Sequence, residues 1–198
     1  GPCASFETAC SASLVAGHSA ARALQHAECS EHLVAGVNLM LRQASSVGMA
    51  IAGMTSVAGR CHTFDSRADG FCRGEGCSAA VVRIDEARVA WRVILRGSAV
   101  RQDGQSASLT APNGQAQQVL LRGALQDACL QARAIALNEA HGTGTALGDP
   151  IEAGSLVAAV VSAREAPLSV GGVKANIGHA EPAAGMTGLL KLTLGLYD

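Results

Sequence analysis

The sequence predicts an α/β protein of layered architecture with parallel strands, and three observations carry that prediction. The order strand, glycine-bearing loop, helix occurs twice in succession, over residues 135–161 and 168–196. That order belongs to strands linked through helices, with functional loops at the strands' carboxyl ends. Of the 198 residues 48% are hydrophobic, enough to fill a core. Aromatics make up only 3% while glycine numbers 23, so the layers must pack through small and aliphatic side chains, with backbones in close approach.

The first element is a helix, because Leu14, Val15, Gly17, Ala20, Ala21 and Leu24 recur at helical spacing. It follows Thr8-Ala9-Cys10-Ser11, which puts Cys10 at the helix N-terminus, where unbonded N–H groups and the helix dipole favour a thiolate. Cys10 is therefore a candidate nucleophile. Cysteine is also among the most buried residue types and most often inert packing, so its partners must decide. Residues 32–41 are an apolar run of strand length and predict a buried strand. Residues 42–60 mix glycines with small apolar residues and read as loop with short helical pieces. Residues 61–76, dense in Asp65, Arg67, Asp69, Arg73, Glu75 and glycine, predict an irregular connection held by its own charge pairs and turns, and 77–84 a second strand.

Gly74-Glu75-Gly76-Cys77-Ser78-Ala79 matches the loose dinucleotide pattern, but a polar loop precedes it and the β-branched run Val81-Val82-Arg83-Ile84 follows. The pattern needs a strand before it and a helix after it, so no nucleotide cofactor is assigned there. Residues 85–92 form a charged connection, and 93–100 predict a strand running into the turn Arg101-Gln102-Asp103-Gly104, a seam between two halves. Thr110-Ala111-Pro112-Asn113-Gly114 is turn chemistry ahead of a helix over 115–130. A strand at 135–139 opens onto Ala140-His141-Gly142-Thr143-Gly144-Thr145, with Gly148-Asp149-Pro150 and a helix over 151–161 behind it. A further strand at 168–173 leads to Lys174-Ala175-Asn176-Ile177-Gly178-His179 and a helix over 183–196.

Composition narrows the function classes. Fifteen Lys and Arg against sixteen Asp and Glu leave a formal charge of −1, with no basic run and too few aromatics for base stacking, so nucleic acid is not an expected partner. The seven cysteines are odd in number, scattered and without a C-x-x-C pair, which fits a reducing, cytoplasmic or similar compartment. No charged-then-apolar leader and no apolar stretch near the roughly 20 residues of a membrane span is visible. The chain starts without Met, a few residues before Cys10, and ends inside a helical pattern, as a piece of something longer would.

His141 and His179 occupy comparable strand-end loops, with glycines that let a backbone or ligand come close. Together with Cys10 they suggest a Cys-His-His site assembled from separate strand ends. No metal is assigned to the three, because structural zinc usually takes a pair of ligands from one local element, and none is present.

The segments 8–14, 139–145 with 148–150, and 173–179 resemble, in order, the three active-site motifs of β-ketoacyl synthase domains. Phe64-Asp65, Ala68-Asp69-Gly70-Phe71, Arg73-Gly74-Glu75-Gly76-Cys77, Arg96-Gly97-Ser98-Ala99-Val100 and residues 109–114 resemble the form found in modular type I polyketide synthases. The resemblance covers essentially the whole chain. It implies a thiolase-like fold, layered αβαβα and dimeric, with 1–92 as the remainder of an N-terminal half and 93–198 as most of a C-terminal half. Cys10 would accept an acyl chain from the phosphopantetheine arm of an acyl carrier protein, no cofactor being bound directly. His141 and His179 would assist decarboxylation of a malonyl-type extender and stabilise the enolate that attacks the thioester. The resemblance further implies that Thr143 and Thr145 bind the pantetheine arm and that Lys174 and Glu181 orient His179. It leaves a fatty-acid synthase ketosynthase, a loading or decarboxylating domain, and a non-catalytic scaffold as alternatives.

Glu7 and Ala12 depart from the family's usual Asp and Ser. Relative to a full domain, the chain lacks the strands before the nucleophile and the glycine-rich C-terminal loop that supplies a second oxyanion-hole N–H. The fold is thus expected to be incomplete, and the isolated polypeptide poorly stable with little turnover.

Overall fold

The computed structural model describes residues 1–84, 93–108 and 111–196. Packing divides the described residues into two compact units, one drawn from residues 1–41, 73–84, 93–94 and 180–196, the other from residues 42–72, 95–108 and 111–179.

The first unit is built on α1 (Ala12–Gln25), β1 (Glu31–Asn38), β2 (Gly76–Arg83) and α6 (Ala184–Leu194). β1 and β2 pair antiparallel, with Glu31 opposite Arg83 and Asn38 opposite Gly76. Ala20, Val34 and Met186 form the buried centre, with Ala16, Ala80, Val82, Leu189 and Leu190 packed around it. Small residues make this closeness possible. A Cβ on Gly36 would lie 2.8 Å from Ser13 Cβ and 3.1 Å from Ala183 Cα, and one on Gly185 would lie 2.4 Å from Leu14 Cγ. The buried Ser13 hydroxyl accepts the Met186 N–H at 3.1 Å, tying α1 to α6.

The buried strand expected over 32–41 is shorter and buried on one face only. Val34 is 3% exposed and Leu33, its neighbour on the opposite face, 71%. The side chains of a strand alternate, and the face that carries Val34 is the one covered by α1 and α6.

In the second unit α2 (Gln43–Ile51) is followed by an irregular segment, then α3 (Gly114–Asp127), β3 (Leu137–Glu139), α4 (Gly148–Ala159), β4 (Ser169–Gly171) and the single turn α5 (Lys174–Ile177). β3 and β4 are parallel, as the repeated strand–loop–helix order predicts, with Asn138 opposite Val170. Leu156, Ala159 and Val160 are the buried core, surrounded by Leu121, Leu125, Ile135 and Leu168. The Asn113 side chain caps α3, accepting from the N–H groups of Gln115 and Ala116. The irregular segment has the local ion pair its sequence suggests, Arg67 to Asp65 at 2.8 Å.

One expected strand does not form. Residues 93–100 have no ladder partner among the described residues. Around residues 97–98 the chain is held instead by the end of α3. The Ser98 N–H donates to Asp127 at 2.9 Å, and a Cβ on Gly97 would lie 2.5 Å from Ala128 N. The charged connection expected at 85–92 lies outside the described residues, as do Leu109 and Thr110.

Candidate active site

Cys10 sits in the 3-10 turn Ala9–Ser11 that runs straight into α1, so the predicted helix-start position holds. The turn is set from its own side chains. Ser11 Oγ donates to the Thr8 carbonyl at 2.9 Å, and the Glu7 carboxylate accepts the Ala9 N–H at 3.2 Å. Ala9 has a φ of 53°, in the left-handed region that an L side chain enters only at a cost. The residue before Cys10 is thus held in a strained conformation by the turn. No acidic residue occupies the first turn of α1, so no side-chain charge there offsets the positive end of the helix dipole.

The second unit carries the histidine loops. β3 and β4 end side by side, and the connection is reinforced by the Glu139 carboxylate, which accepts the Val173 N–H at 2.5 Å. The loop after β3 holds His141 and the turn after β4 holds His179, and their rings meet edge to face with centroids 5.5 Å apart. Phe71 supports the His179 ring from another side, its centroid 5.1 Å away. The His179 N–H donates to the Cys72 carbonyl at 2.7 Å, which fixes the backbone beneath the ring. The paired histidine loops predicted from sequence are therefore brought together.

Both imidazoles are held neutral. Burial lowers the pKa of His179 to about 3, with His141 and Lys174 adding to the shift. Burial and the Lys174 charge lower that of His141 to about 4. His141 keeps an exposed edge, where water moderates the effect, whereas His179 is only 4% exposed and feels it in full. Lys174, on α5 and itself buried, thus acts on both rings by its charge. A pair of neutral imidazoles at neutral pH offers ring N–H groups to a developing oxyanion without a compensating proton uptake.

Two carboxylates one turn apart at the start of α4 shape the His141 loop. Glu152 accepts the N–H groups of His141 and Gly142 at 2.6 and 2.8 Å. Asp149, 3% exposed, accepts those of Gly144 and Thr145 on one oxygen and of Phe64 on the other. Burial pushes the Glu152 carboxyl up from its ordinary range. Thr63 donates to the Gly142 carbonyl at 2.6 Å from the opposite side. Gly142 and Gly144 have φ of 47° and 78°, and a Cβ on Gly144 would lie 2.6 Å from His62 N, so the loop requires glycine at that position on two counts. The sequence motifs assign no role to Asp149 or Glu152. The signal available was two carboxylates at i and i+3 on the first turns of the helix behind a glycine loop.

The remaining candidates take these places. Thr143 and Thr145 share a hydroxyl–hydroxyl hydrogen bond of 3.2 Å, and the Thr145 hydroxyl accepts the Gly148 N–H, so both serve the loop itself. Glu181, in the first unit with Cys10, receives the Arg73 guanidinium at 2.6 Å, both side chains largely buried. The glycines of 74–79 open β2 rather than a helix, contrary to what a dinucleotide cradle needs. Among the described residues no helix is long and apolar enough to cross a membrane.

Comparison with known proteins adds sequence and structural relatives. Residues 1–88 match the beta-ketoacyl synthase N-terminal domain family and residues 93–198 the beta-ketoacyl synthase C-terminal domain family. The chain is 48% identical over 204 residues to a phenolphthiocerol/phthiocerol polyketide synthase of Mycobacterium tuberculosis, and 44% over 200 residues to erythronolide synthase EryA2 of Saccharopolyspora erythraea. All or nearly all of the chain is aligned, but it spans only 9% and 6% of those proteins. Among solved structures, the oxazolomycin ketosynthase domain OzmH KS7 of Streptomyces albus JA3453 aligns with a TM-score of 0.93 at 38% identity, over 98% of this chain and 34% of that one. The ketosynthase from module 6 of the bacillaene synthase of Bacillus subtilis 168 aligns with a TM-score of 0.89 at 39% identity, over 96% and 35%. The fold is the thiolase-like fold of these ketosynthases, of which the chain spans about a third.

Proposed function

The chain belongs to the beta-ketoacyl synthase family, and from that premise we propose that it carries the nucleophile and the histidine pair of a polyketide-chain-elongating ketosynthase. The observation that supports this reading most directly is the pair of imidazoles meeting edge to face at the ends of two parallel strands.

In this reading the Cys10 thiolate attacks the carbonyl carbon of an acyl thioester presented on the phosphopantetheine arm of an acyl carrier protein. The pantetheine thiolate leaves and takes up a proton, and the acyl chain is held on Cys10 as a thioester. A malonyl-type thioester then loses carbon dioxide. The electron pair of the broken C–C bond is left as an enolate, whose oxygen receives the ring N–H groups of His141 and His179. Each such donor is worth about 3 kcal/mol in a dry site. The enolate carbon attacks the Cys10 thioester, the new C–C bond forms, and the Cys10 thiolate is released for the next acyl group. Burial, with the Lys174 charge adding to it, keeps both histidines neutral, while Asp149 and Glu152 hold the His141 loop in position. The loop that Thr143 and Thr145 brace through their own hydroxyls receives the pantetheine arm, and Glu181, clamped by Arg73, steadies the segment after His179. The partners are a carrier protein and its acyl and malonyl-type thioesters, with a second copy of the domain completing a homodimer in a reducing compartment. Identity of 44–48% to polyketide synthases favours polyketide over fatty-acid elongation.

The test is covalent. A ketosynthase domain of full family length carrying this sequence is incubated with an acyl thioester and digested, and the peptide containing Cys10 is weighed. The expected result is one acyl adduct on Cys10, absent in Cys10→Ala. A folded domain that never acylates at Cys10 would overturn the reading.

A further inference from the structure

Cys61 and Cys72 are the two cysteines the proposed reaction leaves unused that the second unit brings into contact. Cys61 is 4% exposed, Cys72 is half-buried, and all seven cysteines are reduced in this structure. The Cys72 N–H donates to Cys61 Sγ at 3.2 Å, and the same sulfur lies 3.7 Å from the Cys72 carbonyl oxygen. The Cys61 sulfur therefore rests on the backbone of residue 72, within the swing of the Cys72 side chain about its Cα–Cβ bond. Ten residues separate the two in sequence, so their joining closes a short loop, whose far end is already anchored next to Cys72 by the backbone hydrogen bonds of Phe71 with Met54 and Ser56.

We propose that Cys61 and Cys72 are a thiol–disulfide exchange site that reacts with low-molecular-weight disulfides to form a reversible intrachain disulfide. The half-buried Cys72 reacts first. Its thiolate attacks one sulfur of the small disulfide, the S–S bond breaks, and one small thiolate leaves and is protonated, giving a mixed disulfide on Cys72. Cys61, shielded from the small disulfide by burial, then attacks Cys72 Sγ as its thiolate and expels the second small thiol with the proton that Cys61 gives up. Two protein thiols are oxidised and one small disulfide is reduced to two thiols, so the exchange balances. Burial raises the Cys61 thiol above its ordinary range, which leaves the first attack on the small disulfide to Cys72; the later attack by Cys61 is intramolecular, and proximity offsets its smaller thiolate fraction. The pair sits beneath the histidine loops. The Cys72 carbonyl carries His179, and the Cys61 backbone is packed on Gly144 of the His141 loop.

Peptide mapping tests this. Trypsin cuts after Arg60, Arg67 and Arg73, placing Cys61 and Cys72 on the separate peptides 61–67 and 68–73. The protein is treated with glutathione disulfide, the remaining thiols are alkylated and the digest is weighed. The expected result is a cross-linked 61–67/68–73 pair as the dominant cysteine-linked product, with both peptides' alkylated forms lost and restored by reductant. Cys61→Ser is expected to trap glutathione on Cys72, and Cys72→Ser to leave Cys61 alkylated only after unfolding. Glutathione retained on Cys72 of the wild-type protein with no cross-link, or cross-links that favour other cysteines, would overturn the proposal. Neither readout depends on condensation activity, so it stands or falls apart from the ketosynthase reading.

Discussion

At the scale of single residues, protonation of His179 ties stability to pH. The folded state holds its pKa at about 3 against an ordinary 6.5, so between those values the unfolded state binds more protons. The stability that His179 contributes is complete above about pH 6.5 and is lost as the pH falls toward 3. At about pH 5 the loss from this residue alone is roughly 2 kcal/mol. Urea midpoints measured at pH 7 and pH 5 are expected to fall on acidification, and His179→Asn is expected to flatten that slope. The same depression keeps the imidazole neutral through the neutral range, so condensation is not expected to lose a limb to His179 protonation above about pH 5.

Glu152 gives a second prediction at this scale. Its two oxygens each accept one of two successive N–H groups, a task only a carboxylate performs in full. Glu152→Gln turns one end of the side chain into a donor facing a donor, at a cost of about 1–3 kcal/mol. Because that cost falls on the backbone of His141, condensation is expected to drop at least about tenfold while acylation of Cys10 stays near its wild-type rate. Equal loss of both steps would assign Glu152 to folding alone.

At the scale of elements, the strain before Cys10 and the packing behind it are separable. Ala9 is left-handed at φ 53°, so Ala9→Gly is expected to raise stability by up to about 1 kcal/mol in thermal or chemical unfolding. Met186 on α6 is 1% exposed against Ala20 and Val34, and Met186→Ala is expected to cost about 2–5 kcal/mol by the cavity it leaves. The elements themselves were legible where local chemistry decides them. The apolar spacing from Leu14 to Leu24 marks α1, and the turn residues 110–114 mark the start of α3, where the structure shows the Asn113 side chain capping the helix. Residues 93–100 misled because β-branched, apolar composition announces a strand only when a partner strand lies alongside. Here the end of α3 takes that place around Gly97 and Ser98. The one-sided burial of β1 was likewise invisible, since an unbroken apolar run does not say which of its faces a neighbour covers.

At the scale of the whole molecule, the motifs carried the site further than periodicity did. Glycine loops after strands and a helix start make Cys10, His141 and His179 candidates in the sequence, and the resemblance to ketosynthases supplies the roles expected of them. The burial that neutralises the histidines and the two carboxylates of α4 that brace one loop could not be read there, because these depend on side chains brought together by packing. In the proposed function the histidine pair serves the carbon–carbon bond-forming half of the reaction and Cys10 the acyl-transfer half. The direct measurement is to follow both halves in one sample of a full-length domain carrying this sequence, comparing wild type with His179→Ala. Cys10 acylation is expected to survive largely intact while condensation falls by about a hundredfold or more. Undiminished condensation in the variant would contradict this division of roles.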